Sequence, residues 1–306
     1  FVERVFPMKM PFFFILLYLL LTELQGQDVN FSQFNSIAAY YNPAFAGSFP
    51  GEFKVNSMYR NQWVGLQDRP LTSLSIAADI KFHLGPADLL NDYIAANVNF
   101  ITDKAQIYDW NSNEISLSIA YHKLLNKFNK SFLTGAFSFG VTQRSVNYDN
   151  IYFEDQFDGI SKYNNPTNEL LPSNIHSKPS LKAGLQYRMQ FSKKLGFRTG
   201  FSIQKLFSPD LSFYQDFKNK DYNGENSNIA LNQFNVIMNF LCKLTNTEEL
   251  YPKLMYSAQG PHAIILTGLT YRKTFYQLNE TAFHGGISSR LVKSNQGITP
   301  ADIGFQ

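Results

Sequence analysis

The sequence predicts an all-β fold, an antiparallel transmembrane β-barrel of the outer-membrane type, and three observations lead to it. Segment after segment alternates apolar and polar residues with a period of two. The 306-residue chain is 16% aromatic, with 29 Phe and 17 Tyr, yet its mean hydropathy is only −0.22. Its one long apolar run, Pro11–Leu21, stands near the beginning. A helical membrane protein would need repeated apolar stretches of about 20 residues, which would raise the average hydropathy. A barrel wall alternates greasy and wet positions, so the average stays near zero while aromatics gather at the two membrane interfaces.

The run PFFFILLYLLL follows Lys9 and gives way to a polar stretch ending near Gly26. At about 11 residues it is too short to cross a bilayer and has the form of a secretory signal with a basic leading region. The expected signal peptide covers 8–26, starting from Met8 or Met10 and cleaved before Gln27. Residues Phe1–Pro7 then read as an upstream overrun, and 27–306 as the mature barrel domain. No cysteine follows the run, so a lipoprotein anchor is not expected.

Next comes YYNPAFAG, in which Pro43 after Asn42, with Gly47, marks a turn before the first strand. Along Leu74–Phe82 the residues Leu74, Ile76, Ala78, Ile80 and Phe82 share one face, and Ser75, Ala77, Asp79 and Lys81 the other. The same alternation sets Ile115, Leu117, Ile119 and Tyr121 against Glu114, Ser116, Ser118 and His122. It sets Leu133, Phe137 and Phe139 against Thr134, Ala136 and Ser138, and Leu181, Leu185 and Tyr187 against Lys182, Gly184, Gln186 and Arg188. Further strands are expected at 52–60, 93–102, 196–206, 233–240, 262–272 and 284–291. Strands of about 9 to 11 residues suit a tilted membrane crossing, whereas soluble sandwich strands run nearer 5 or 6. The polar face mixes small residues with isolated Arg and Lys, as the crowded lumen of a closed barrel requires. Two long connections, 145–179 and about 207–230, alternate with short turns such as 126–130 and 192–196, and a short helical turn is expected within 245–260.

Catalytic templates are missing: there is no GxSxG, HExxH, CxxC, Walker loop or helix-backed GxGxxG. The five histidines are dispersed, with His122 and His284 on the expected lumen face. The lone Cys242 excludes an internal disulfide and a multi-thiolate metal site. The acidic stretches 149–158 and 219–226 do not have EF-hand spacing and read as solvated loops. A net charge of +3, scattered along the chain, gives no footprint for nucleic acid. No enzyme activity, cofactor or metal is therefore expected.

The densest cluster of unusual residues joins Asn42, Pro43 and Gly47 to Tyr59, Arg60, Asn61, Gln62, Trp63 and Gly65. Tyr59 and Trp63 fit interface anchors; Arg60, Asn61 and Gln62 equally fit a network that fixes a plug or meets a partner. The order NPAFAG, YRNQWVG, then Pro-Leu-Thr and a strand ending in Asp resembles the PorP/SprF family of Bacteroidota type IX secretion and gliding proteins. Looser similarity continues through GLQYR, GFSIQKLFSP and GLTYRK. The resemblance implies a non-enzymatic outer-membrane barrel that works with type IX components. It would aid secretion or surface attachment of adhesin-like cargo bearing C-terminal sorting domains. A porin-like channel for small solutes and a barrel hydrolase are the alternatives. Relatives continue with further strands beyond ADIGFQ, so a truncated C-terminus with an incompletely closed wall is expected.

Overall fold

The computed structural model describes residues 31, 33–62, 70–85, 91–105, 109–207, 213, 231–276, 280–294 and 297–305. The expected signal segment, Trp63, Gly65 and most of 207–230 lie outside them. Twelve strands form one sheet in strict sequence order, every neighbour antiparallel. They are β1 (Phe53–Gln62), β2 (Leu71–His83), β3 (Tyr93–Ala105), β4 (Trp110–Asn126), β5 (Ser131–Ser145) and β6 (Ile175–Gln190). There follow β7 (Leu195–Gln204), β8 (Gln233–Lys243), β9 (Glu248–Gln259), β10 (His262–Tyr276), β11 (Glu280–Ser294) and β12 (Gly297–Phe305). Strand lengths run from 9 to 17 residues, so several are longer than the 9 to 11 expected.

The faces are inverted relative to a soluble protein. On β5, Phe137 and Phe139 are 58% and 61% exposed while Thr134 and Ser138 are 0% and 2%. The same holds for β4, where Ile115, Leu117 and Ile119 face outward and Ser116, Ser118 and His122 are buried. A continuous apolar outer band would drive a soluble chain to aggregate, but it is what a lipid-facing wall needs. Among the described residues no helix is long and apolar enough to cross a membrane.

The interior is filled by the described segment that precedes β1. A plug running from Phe31 to Pro50 holds a short helix, α1 (Ala38–Tyr41), and a 3-10 turn at Pro43–Phe45. Both buried apolar clusters are plug-to-wall contacts. Phe31, Phe34, Ile37 and Tyr41 pack on Ile237, Met255, Ile264 and Leu266, with Met58 of β1 and Val292 of β11 against the same cluster. Ala44 and Ala46 pack on Tyr93, Ala95, Ala120, Phe132 and Ala136. Strands near both ends of the sheet therefore meet around one segment, and the sheet curls about it.

Two expectations need correction. Residues 248–259 form β9 and not a helical turn. Pro252 masks the strand because it has no N–H to give a ladder; pairing with β8 passes from Asn239↔Lys253 to Cys242↔Leu250, skipping the Pro252 position. Residues 297–305, not expected as a strand, pair with β11 through a register shift at Arg290/Leu291. The strand count is thus twelve where ten were expected. The long connection is also shorter than expected, at 146–174, because Ile175–Pro179 already pairs with β5. It shares a rim with the facing ends of β7 and β8, Gln204 and Gln233, although the tight turn 260–261 closes the same rim. The opposite rim carries the turns 127–130, 191–194 and 244–247, beside the ends of β2 and β3 at His83 and Tyr93. In outer-membrane barrels short turns face the periplasm and long loops the outside, which orients the two rims.

At the short-turn rim, the Asp92 carboxylate accepts from Lys123 Nζ (2.8 Å), Tyr121 O–H (2.7 Å) and the Leu124 backbone N–H (2.8 Å). The Lys123 hydrogen bond leads these in holding the Asp92 carboxyl down to about 2, from an ordinary 3.8. A depressed carboxyl stabilises the fold at any pH above its unfolded value of about 3.9 and loses that contribution as pH falls through the folded value. We expect stability to decline between about pH 4 and pH 2 in wild type, and this part of the decline to vanish in Asp92→Asn. Because the group is at the surface, solvent screening keeps the effect small. Identical acid unfolding curves for the two proteins would contradict it.

Candidate functional site

The site is the seat of the plug. Asn42 is fully buried and uses its whole amide. Its Oδ1 accepts from Ala44 N–H at 2.9 Å, capping the turn that Pro43 begins. Its Nδ2 donates to Leu185 O (3.1 Å) and Phe201 O (3.2 Å), carbonyls of residues paired across β6 and β7. That approach is possible because the wall there carries no side chain. A Cβ on Gly184 would lie 2.0 Å from Asn42 Oδ1, and one on Gly200 2.5 Å from Phe45 Cε2. Gly47 ends the motif with φ +68°, a conformation open to glycine. A Cβ there would meet Ala95 Cβ at 2.3 Å.

The backbone register explains why the wall fits. Lys81↔Ala95, Ala95↔Ala120, Ala120↔Ala136, Ala136↔Gly184, Gly184↔Ser202 and Ser202↔Asn235 are successive cross-strand pairs. They form a belt, mostly of small residues, running across seven strands, and the Asn42–Gly47 segment rests on it. Polar neighbours satisfy the plug's carbonyls, which would otherwise be stranded away from water. Tyr41 O accepts from Ser202 Oγ (2.6 Å), Gln204 Nε2 (2.8 Å) and Asn235 Nδ2 (3.2 Å). Ser48 O accepts from Arg198 (2.6 Å), and Ser36 O from Asn56 (2.8 Å). Asp79 accepts the Gly47 N–H at 3.2 Å.

His122 belongs to this seat. Its Nε2 lies 2.8 Å from Ala46 O and its Nδ1 2.8 Å from Thr134 Oγ1. A carbonyl can only accept, so Nε2 carries the proton and Nδ1 accepts from the hydroxyl. The ring stacks on Tyr93 at 4.1 Å and has no solvent exposure. It is a structural clamp on the plug. His284 lies by a second lumen cavity of about 230 Å³ next to Gln33 and Phe34. Lys182 bonds Glu114 at 2.6 Å and covers the Tyr40 ring at 3.8 Å.

The structure separates the two halves of the sequence cluster. Asn42, Pro43 and Gly47 are in the lumen, while Tyr59–Gln62 lie at the end of β1 toward the long-loop rim. Tyr59 points outward and is 65% exposed, as an interface anchor would be. The plug's side-chain hydrogen bond from β1 comes from Asn56. The wall partners Gly184, Gly200 and Ser202 were visible as small lumen residues. Nothing in their spacing told that they receive a segment some 140 residues earlier. In the loop 146–174 the acids cap backbone: Asp158 Oδ1 accepts from the N–H groups of Ile160, Ser161 and Lys162.

Comparison with known proteins places the whole described barrel, plug included, within one family match. The family described as type IX secretion system membrane protein PorP/SprF matches residues 23–305. The chain belongs to the PorP/SprF family. In this PorP/SprF protein the NPAFAG segment lies within the plug, and the barrel is a secretion-system membrane protein of the outer-membrane type. No curated protein matches the chain. Among solved structures, a Pseudomonas aeruginosa FadL homologue aligns at 11% identity with a TM-score of 0.44, over 80% of this chain and 68% of its own. The translocator domain of the autotransporter NalP from Neisseria meningitidis aligns at 11% identity with a TM-score of 0.46, over 87% and 92%.

Proposed function

We propose that this barrel is a non-enzymatic partner of the type IX machinery that aids secretion or surface attachment of adhesin-like cargo with C-terminal sorting domains. The observation that carries the proposal is the plug. A lumen occupied by Phe31–Pro50, with each of its buried apolar clusters built on that segment, suits a binding platform better than a solute channel. Contact with cargo or machinery then falls to the rims and loops. Tyr59, Arg60, Asn61 and Gln62 at the long-loop rim, with Trp63 and Gly65 following in sequence, are the proposed contact patch. Asn42, Pro43 and Gly47 contribute by holding the plug.

The test is made in the source bacterium. Deleting the gene should abolish protease-accessible display of a protein carrying a C-terminal sorting domain, and the wild-type gene should restore it. Arg60→Ala with Gln62→Ala should lower display several-fold at unchanged barrel abundance. Undiminished display in the deletion strain would overturn the reading, as would a large steady conductance of the purified wild-type protein in planar bilayers.

A further inference from the structure

Most lumen charges in this protein are neutralised. Lys182 faces Glu114, and Arg272 and Lys243 share Glu249. One region breaks that rule. Between the plug and the short-turn rim lies a cavity of about 620 Å³, with Lys130 and Gln190 at its outer edge. Across its wall, Arg188↔Arg198, Arg198↔Asn239 and Asn239↔Lys253 are direct cross-strand pairs. Three cations and an amide thus stand side by side on four strands, where like charges directly opposite each other are destabilising. Lys54 lines the same cavity from β1.

Among the described residues none of these four cations makes an ion pair, and Lys54 and Lys253 donate no hydrogen bond. One carboxylate, Asp79, lines the cavity directly opposite Lys54 and also accepts the Gly47 N–H, so four cations face a single acid. Arg198 spends one nitrogen on Ser48, and Arg188 one on Tyr93 O–H. A guanidinium has five donors, so most remain for another acceptor. Asn239 supplies an independent observation: it is only 6% exposed, lines the cavity, and neither its Oδ1 nor its Nδ2 has a partner. Buried amides left without partners are rare. A donor set of two guanidinium groups, two ammonium groups and an amide, set against one lining carboxylate, carries an excess of positive charge and is complementary to oxyanions.

We infer that this cavity is a binding site for a multiply charged small oxyanion, a polyphosphate or polycarboxylate. Arg188 and Arg198 bind its oxygens, Lys54 and Lys253 neutralise it, and Asn239 Nδ2 donates to it. The volume lies within the range of small-molecule sites, about 300 to 1,000 Å³. Access is from the short-turn rim, because the plug closes the other side. The inference goes beyond the cargo reading and does not depend on it.

Calorimetric titration of the detergent-purified full chain at matched ionic strength tests it, with inorganic pyrophosphate and citrate as separate probes. Saturable binding of one or both is expected, and which one binds tells phosphate from carboxylate. Lys54→Gln and Lys253→Gln should each weaken binding about tenfold. Lys253 faces no acid across its strand pairs and donates no hydrogen bond among the described residues, so Lys253→Gln is the variant that leaves the fold untouched. Lys127→Gln, an equal charge change in the turn at the same rim, should bind as wild type. Absence of saturable binding for both probes would overturn the inference, and so would equal weakening in Lys127→Gln.

Discussion

A valine at Gly184 together with one at Gly200 should drive the plug out of its seat and open a pore in a barrel that otherwise stays closed. A Cβ at Gly184 would stand 2.0 Å from Asn42 Oδ1 and 3.1 Å from Pro43 Cδ; at Gly200 it would stand 2.6 Å from Asn42 Nδ2. Neither strand can back away, because each is paired on both sides. Overpacking costs roughly 1–3 kcal/mol per site. The Asn42 bonds to Leu185 O and Phe201 O go with it, at about 1 kcal/mol each. A combined shift of about 3 kcal/mol or more multiplies the open population by at least roughly 100.

With Cys242→Ser removing the native thiol, Ser48→Cys reports on the plug, since Ser48 is 8% exposed. Maleimide labelling at that position should accelerate by about two orders of magnitude in the valine pair. Steady conductance should appear in planar bilayers. Gly184→Ala combined with Asn42→Ala should cost less than the two changes summed, because both act on one contact. Slow labelling and a silent bilayer from a folded valine pair would show that the plug does not depend on these glycines.

What the sequence disclosed and what it withheld divide along the range of the contacts. The wall was legible because the two faces of a membrane strand differ chemically at every second residue, as Ile115, Leu117 and Ile119 do from Ser116 and Ser118. Strand β9 hid because Pro252 and the pair Glu248, Glu249 imitate a turn, although Glu249, Tyr251, Lys253, Met255 and Ser257 keep the lumen face. The turn at Asn42–Gly47 was also readable, from Asn before Pro and from a glycine where φ turns positive. Its place in the lumen was not readable. Asn42 meets Leu185 and Phe201 across separations of 143 and 159 residues, and a segment of twenty residues with no single period gives no sign of which wall receives it. The family signature joined NPAFAG to YRNQ in one cluster, whereas folding sends the first into the lumen and the second toward a rim. Nearness in sequence there reflects only that the plug is followed directly by β1.

The buried pair Lys182–Glu114 offers the second large effect, because its removal should be mild in one form and severe in another. The two groups are 2.6 Å apart with side chains only 4% and 13% exposed. Lys182 also reaches Tyr40 O at 3.4 Å and lies 3.8 Å from the Tyr40 ring centroid, so it ties the plug to the wall. Glu114→Gln leaves an ammonium without its counter-charge in the lumen, and breaking a buried pair from one side costs about 3–5 kcal/mol. Lys182→Met strands the carboxylate, whose remaining partner is Ser180 Oγ at 3.5 Å, and should cost a similar amount. The double variant removes both desolvated charges. It should regain most of that loss, keeping a deficit of about 1–2 kcal/mol for the cation–π contact on Tyr40. Urea unfolding in lipid vesicles measures all four proteins, and a double variant as unstable as the sum of the singles would show that the two charges do not act as a pair. The unpaired form most prone to loosen the plug is Lys182→Met, since it alone loses the Tyr40 contact and retains a buried negative charge beside the plug.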